Sequence, residues 1–199
     1  MKLYYLDQCE DLTAADAGQR EERINELLAR LFKQNHIVLE VDIDGAVFRE
    51  GYEAELLQRI MNIREVHFHT VQGEALVSDI IEELKGYIPK VLQAMESISD
   101  LFYGEMTPDD WNLFSRLIEA INWVEQSVRV VIDQFKRFSG VETEGQPFYM
   151  FVEQLPAKLR ELEESLERYD PVAAGDLIKY ELRELFEQLA TTVESKVTL

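Results

Sequence analysis

Among the residues of this chain, His67 and His69 are the pair whose type and spacing best suit chemistry. They stand two apart in Glu65-Val66-His67-Phe68-His69-Thr70-Val71, where β-branched and aromatic residues alternate with polar ones. That pattern predicts a strand. Alternate residues of a strand share a face, so both imidazoles and the Glu65 carboxylate point the same way. Two imidazoles and a carboxylate are a donor set for a transition metal, the ligands of a metal-dependent enzyme. The alternation has a simpler account. Val66 and Phe68 face a core, and Glu65, His67 and His69 face water. That account explains every residue without a ligand, so no metal and no cofactor is expected. His36, the third histidine, joins the pair only if its strand has the right register.

The remaining candidates lie on predicted helices. Glu125 falls between Ile121 and Val128 on an apolar seam, where an unpaired carboxylate is costly. Because a 3.6-residue period drifts against a heptad, Val124 and Val131 are expected in the core, with Glu125 at its rim. The alternative is a buried pair with an Arg or Tyr of another helix. Asp176 and Tyr180 are i, i+4 neighbours and read as an ordinary surface pair. Asp176 could instead accept a hydrogen bond from another helix. Trp111 fits a core seam, whereas Trp123 falls off it and either packs beneath the N-terminal module or marks a partner surface.

Other reactive arrangements are missing. Cys9 is the only cysteine, so the chain forms no internal disulfide and no cysteine zinc site, and it lies near an end expected to be flexible. All three histidines precede the long helices, which removes the Glu-x-x-His pairs of a di-metal bundle. There is no Gly-x-Ser-x-Gly elbow, no phosphate loop and no dinucleotide fingerprint. The balance is against an enzyme.

The elements that must position these residues are legible. Ile24, Leu27, Leu28 and Leu31 line one face of a helix over Gln19–Lys33. His36–Ile43 predicts a strand, Asp44-Gly45 a tight turn, and Ala46–Phe48 the return strand. A short helix over Gly51–Met61 and the histidine strand complete a small α+β module with about three strands. The opening Leu3-Tyr4-Tyr5-Leu6 either adds an edge strand or lies on the helices. From Glu74 to Val197 the chain reads as four amphipathic helices. Pro89 predicts a kink in the first, seamed by Val77, Ile80, Leu84, Tyr87, Val91, Ile98 and Phe102. Thr107-Pro108-Asp109-Asp110 starts the second with a cap, a first-turn proline and acids at the positive dipole end. Ser139–Gln146 is a polar loop. Pro156 kinks the third helix or splits off Pro147–Leu155, and Asp170-Pro171 caps the last. Short connections favour antiparallel neighbours.

The expected fold is therefore α+β and predominantly α. A module over residues 1–72 precedes an antiparallel bundle of about four long helices over 73–199, with either separate cores or one shared core. The chain has 199 residues, 46% hydrophobic and 30% charged, enough for a sizeable core. Its formal net charge of -19 repels nucleic acid and anionic membranes but admits basic partners. No apolar run approaches the roughly 20 residues of a membrane span, and no signal peptide opens the chain, so a cytoplasmic setting is expected. The function expected is that of a helical protein–protein interaction protein, an adaptor or chaperone type, with a protein partner or a second copy. A regulatory domain binding a small ligand between bundle helices is the alternative.

Overall fold

The computed structural model describes residues 1–138 and 146–195. The expected loop over 139–146 and the expected helix end at Val197 fall wholly or largely outside these residues. The fold is α+β and predominantly helical: a five-stranded N-terminal sheet precedes a series of long helices. Two compact units divide the chain at 76/77, within the first turns of a helix.

The first unit contains β1 (Lys2–Tyr5), β2 (Gln8–Asp11), α1 (Ala17–Lys33), β3 (His36–Ile43), β4 (Ala46–Phe48), α2 (Tyr52–Arg59) and β5 (Glu65–Gln72). The sheet order is β2-β1-β5-β3-β4, with β1 parallel to β5 and every other pair antiparallel. The expectation of about three strands is thus corrected to five. The opening segment forms a hairpin, and β1 lies inside the sheet rather than at its edge. Its turn is hard to read because it lacks the usual Asn-Gly pair. Leu6 and Asp7 both take positive φ, 45° and 59°, a backbone shape that Leu seldom adopts. The Asp44-Gly45 turn conforms to expectation, with φ of 52° and 91°. Asp44 Oδ1 also accepts from the backbone N–H groups of Arg64 and Glu65, each at 2.9 Å, which fixes the start of β5.

One sheet face carries Leu3, Tyr5, Val41, Ile43, Val66 and Phe68 into a core with Ile24, Leu27 and Leu31 of α1 and Leu56 of α2. Asp16 caps α1 in a capping box with Gln19. Arg20 is the unexpected member of this core, 5% exposed. Its guanidinium donates to the carbonyls of Ala15, Ile60, Met61 and Thr13. A planar fork of five N–H donors is suited to such a spread of acceptors, and no carboxylate of the described residues pairs with it.

The second unit contains most of α3 (Gly73–Leu101), then α4 (Pro108–Phe138), α5 (Gln146–Glu167), α6 (Pro171–Asp176), a π-helical turn (Leu177–Leu182) and α7 (Arg183–Ser195). Thr107 and Asp110 bond reciprocally at the start of α4, as expected of a cap. Helix α5 runs unbroken through Pro156, so Pro147–Leu155 is not a separate helix. Burial of Phe148, Phe151, Leu155 and Leu162 along one stripe offsets the roughly 3 kcal/mol that an interior proline costs. Helix α3 is likewise continuous across Pro89. Its buried stripe is Val77, Ile81, Leu84, Ile88, Val91, Met95, Ile98 and Phe102, while the expected seam residues Ile80 and Tyr87 are only partly buried.

Neighbouring helices run in opposite directions where side-chain pairs fix them. Tyr87 meets Trp123 and Phe102 meets Trp111 between α3 and α4. Phe151 meets Phe186 between α5 and α7, and two turns further along α5 Lys158 meets Glu181 of the π-helical turn. The last stripe is not one regular helix, because the π-helical turn interrupts it.

Candidate functional site

The strand histidines sit where alternation places them. Val66 and Phe68 are buried, while Glu65 and His69 are exposed and His67 is partly so. The Tyr4 ring stacks on the His67 imidazole at 4.2 Å, with planes 7° apart. Register puts Cys9 beside Tyr4, Tyr4 beside His67, and His67 beside Asp42, a row across the sheet. Partial burial first, and then the Cys9 thiol beside it, raise the Tyr4 phenol pKa. An open cleft of ≈ 560 Å³ lies over Tyr4, Cys9, His67 and His69, bounded by the Leu6-Asp7 turn. Among the described residues, no three of His, Cys, Asp and Glu come together as ligands for a metal ion. His36 lies opposite Gln72, three residues beyond His69 along β5, and contacts the Gln72 amide at 2.9 Å. At roughly 3.4 Å per residue it is about 10 Å from His69 along the strand. Cys9 is exposed in the edge strand β2.

On the helices, Val124, Val128 and Val131 are fully buried and Glu125 sits at the rim. Arg129 Nη2, one turn on, holds its carboxylate at 2.6 Å. Trp123 packs edge-to-face on Tyr87, with centroids 4.7 Å apart, and stays 38% exposed. Trp111 is 43% exposed and covers Phe102 and Phe114 at the rim of the core rather than entering it.

The most organised polar arrangement surrounds Asp176, and it corrects the expected Asp176–Tyr180 pair. Asp176 accepts a 2.6 Å hydrogen bond from the Tyr103 hydroxyl just past α3. The reason is the π-helical turn that begins at Leu177. Its hydrogen bonds reach i→i+5, as from the Arg183 N–H to the Ile178 carbonyl, so residues past Asp176 are turned away from α-helical positions. Lys179 Nζ lies 2.7 Å from Asp100 Oδ1 and 5.6 Å from the centre of the Tyr103 ring. Tyr180 is 61% exposed and lies near both Tyr103 and Lys179. The Asp176 bond, then partial burial, then the Asp176 charge push the Tyr103 phenol up to about 12. Asp100, followed by other charges against the opposing effect of burial, raises the Lys179 ammonium.

Gly175 permits this closeness. A Cβ there would lie 3.1 Å from both the Ser99 carbonyl oxygen and the Phe102 Cβ, and 3.4 Å from the Tyr103 ring. The first two contacts are tighter than most packed atoms show, so a Cβ there would make its neighbours give by a few tenths of an ångström, and one of those neighbours is backbone. Further along, Arg183 joins Glu96 at 3.1 Å and Glu187 at 2.8 Å. The sequence carried a trace of the π-helical turn. Ala174, Ile178, Leu182 and Phe186 are all buried and step by four three times. At about 100° per residue each such step overshoots a turn by roughly 40°, and the wider turn takes up the excess.

Residues 79–192 match the family model described as Domain of unknown function (DUF8042), and this span holds every residue of the Asp176 arrangement. No curated protein and no solved structure matches the chain.

Proposed function

The chain belongs to the DUF8042 family, and we propose that its helical unit is a protein–protein interaction module that docks a partner on the face formed by Tyr103, Asp176, Lys179 and Tyr180. The observation carrying this reading is the pairing of exposure with fixed geometry. Tyr103 and Tyr180 are 45% and 61% exposed, yet Tyr103 is held by Asp176 and by the close approach of Gly175. Rigid, half-exposed aromatic rings bring large contact area at small entropic cost, and tyrosine is enriched at interface centres. Carboxylates around the rings, with a chain charge of -19, favour a basic partner.

A small-ligand site between the helices has weaker support. A cleft of ≈ 250 Å³ between α4 and α5 lies among charged side chains such as Arg129, Asp133 and Glu153, while the stripe residues fill the interior. Trp123, the aromatic that the sequence offered for docking, is already packed edge-to-face with Tyr87.

Photo-crosslinking in cells tests the reading. A photoreactive phenylalanine analogue at position 180 is expected to give one dominant protein adduct, and the same group at exposed Glu163 of α5 none. Gly175→Ala, whose Cβ would crowd the Ser99 carbonyl and Phe102 and so shift the Tyr103 ring, is expected to weaken the adduct. Equal labelling from both positions would count decisively against docking on this face.

A further inference from the structure

Resting on that docking face and specifying its partner, we infer that Asp100 and Tyr103 form a receptor for a lysine or arginine side chain of a basic segment, and that Lys179 occupies it until the partner arrives. The notch has the parts such recognition needs. A carboxylate stands on one side, with Asp100 Oδ1 2.7 Å from the ammonium. The face of Tyr103 lies on the other, 5.6 Å from it. A cation over an aromatic face beside a carboxylate is a recurrent way of binding ammonium and guanidinium groups. The ring is set in advance by Asp176 and Gly175, so the receptor persists when Lys179 leaves.

Lys179 is an exchangeable occupant. Its side chain is 29% exposed and ends a flexible stem, so it can swing into water. The nearby cations have other carboxylates: Arg183 has Glu96 and Glu187, and Lys158 has Glu161 and Glu181. An incoming cation therefore replaces Lys179 charge for charge and strands no carboxylate. Tyr180, 61% exposed and a neighbour of both Tyr103 and Lys179, extends the surface beside the notch. A free ammonium ion would leave its ring uncovered, which favours a peptide segment carrying both basic and apolar residues.

The test uses the full chain and a short fluorescein-labelled peptide of alternating lysine and leucine, followed by anisotropy. Lys179→Ala vacates the notch and is expected to tighten binding by roughly fivefold, the scale of one exposed cation–π contact. Lys90→Ala makes the same charge change on α3 about 15 Å from Asp100, and is expected to alter binding less than twofold. Tyr103→Ala in the Lys179→Ala background should reverse the gain, with thermal melts showing each variant folded. Equal tightening by Lys179→Ala and Lys90→Ala would mean long-range attraction alone, and no tightening by either would mean no receptor; both overturn the inference. If the position-180 cross-link persists in either case, the docking face stands without the cation exchange. If the cross-link is absent, the docking reading itself fails.

Discussion

Tyr103 shows what one hydrogen bond to a carboxylate does to a partly exposed phenol. Its neutral form donates to Asp176, and ionisation would set two negative charges side by side. The Asp176 bond therefore pushes the phenol up from its ordinary value to about 12. A folded value above the unfolded one means the contact contributes fully below pH 10 and is lost as pH rises toward 12. Ultraviolet difference titration of wild type against Tyr103→Phe isolates this phenol from the other seven tyrosines. Late ionisation is expected in wild type, with Asp176→Asn bringing it earlier and Lys179→Ala delaying it further, since the Lys179 charge works the other way. A curve unmoved by Asp176→Asn would refute the assigned cause. Asp176 was visible in the sequence as a polar residue beside an apolar stripe. Its partner lies 73 positions away, and no local spacing rule reaches that far.

At the scale of elements, helix α5 ends in a Schellman motif. The Asp170 N–H donates to the Ser165 carbonyl and the Tyr169 N–H to that of Leu166. Tyr169 takes the left-handed position, φ 56°, where glycine is usual, and its side chain is 93% exposed. Tyr169→Gly is therefore expected to stabilise the fold by about 1 kcal/mol in chemical denaturation. A loss of stability would show that the ring makes contacts which outweigh its backbone cost. The same conformational economy separates what the sequence revealed from what it hid. His36–Ile43, Asp44-Gly45 and the Thr107 and Asp170 caps follow local rules and were legible. The β1–β2 hairpin was not, because its turn sets Leu6 in a conformation Leu disfavours and β2 reads Gln-Cys-Glu-Asp. The α3 stripe was legible in period but offset, since Ile81, Ile88 and Met95 rather than Ile80 and Tyr87 carry the burial. At the candidate site the residues were visible one by one, whereas their assembly depends on the π-helical turn and on Gly175.

At the scale of the whole molecule, two electrostatic effects oppose each other. The charge of -19 at neutral pH strains the folded state by self-repulsion. Added salt at pH 7 is therefore expected to raise the melting temperature. Lowering the pH eases the same repulsion at first. Below about pH 4 the trend reverses, because individual carboxylates are held below their ordinary values. For Glu10, Arg23 outweighs burial and Tyr5 adds to the lowering. For Asp44, burial pushes up but the Glu65 and Arg64 backbone N–H groups prevail. Depressed carboxylates contribute above their unfolded values and lose that contribution as pH falls through the folded ones. Melting temperature against pH should peak on the acid side of neutrality and then drop. In Asp44→Asn the drop should be shallower, and an identical acid limb in that variant would remove Asp44 from the account.

The π-helical turn carries one consequence for how the chain tolerates length change. Three steps of four along Ala174, Ile178, Leu182 and Phe186 become steps of four, three and four if one residue between Ile178 and Leu182 is taken away, and that is the spacing of an uninterrupted α-helix. The turn is thus equivalent to a single inserted residue, and the insertion is reversible. Deleting Tyr180 should leave a molecule that melts close to wild type. Deleting one residue in the middle of α7 would rotate everything downstream by roughly 100° and expose Leu189 and Val193. The molecule can then lose the bulge and keep the fold, which makes the extra residue a separable attachment to the helix. A collapse of the Tyr180 deletion as severe as that of a deletion in α7 would show instead that the wide turn is required by the core.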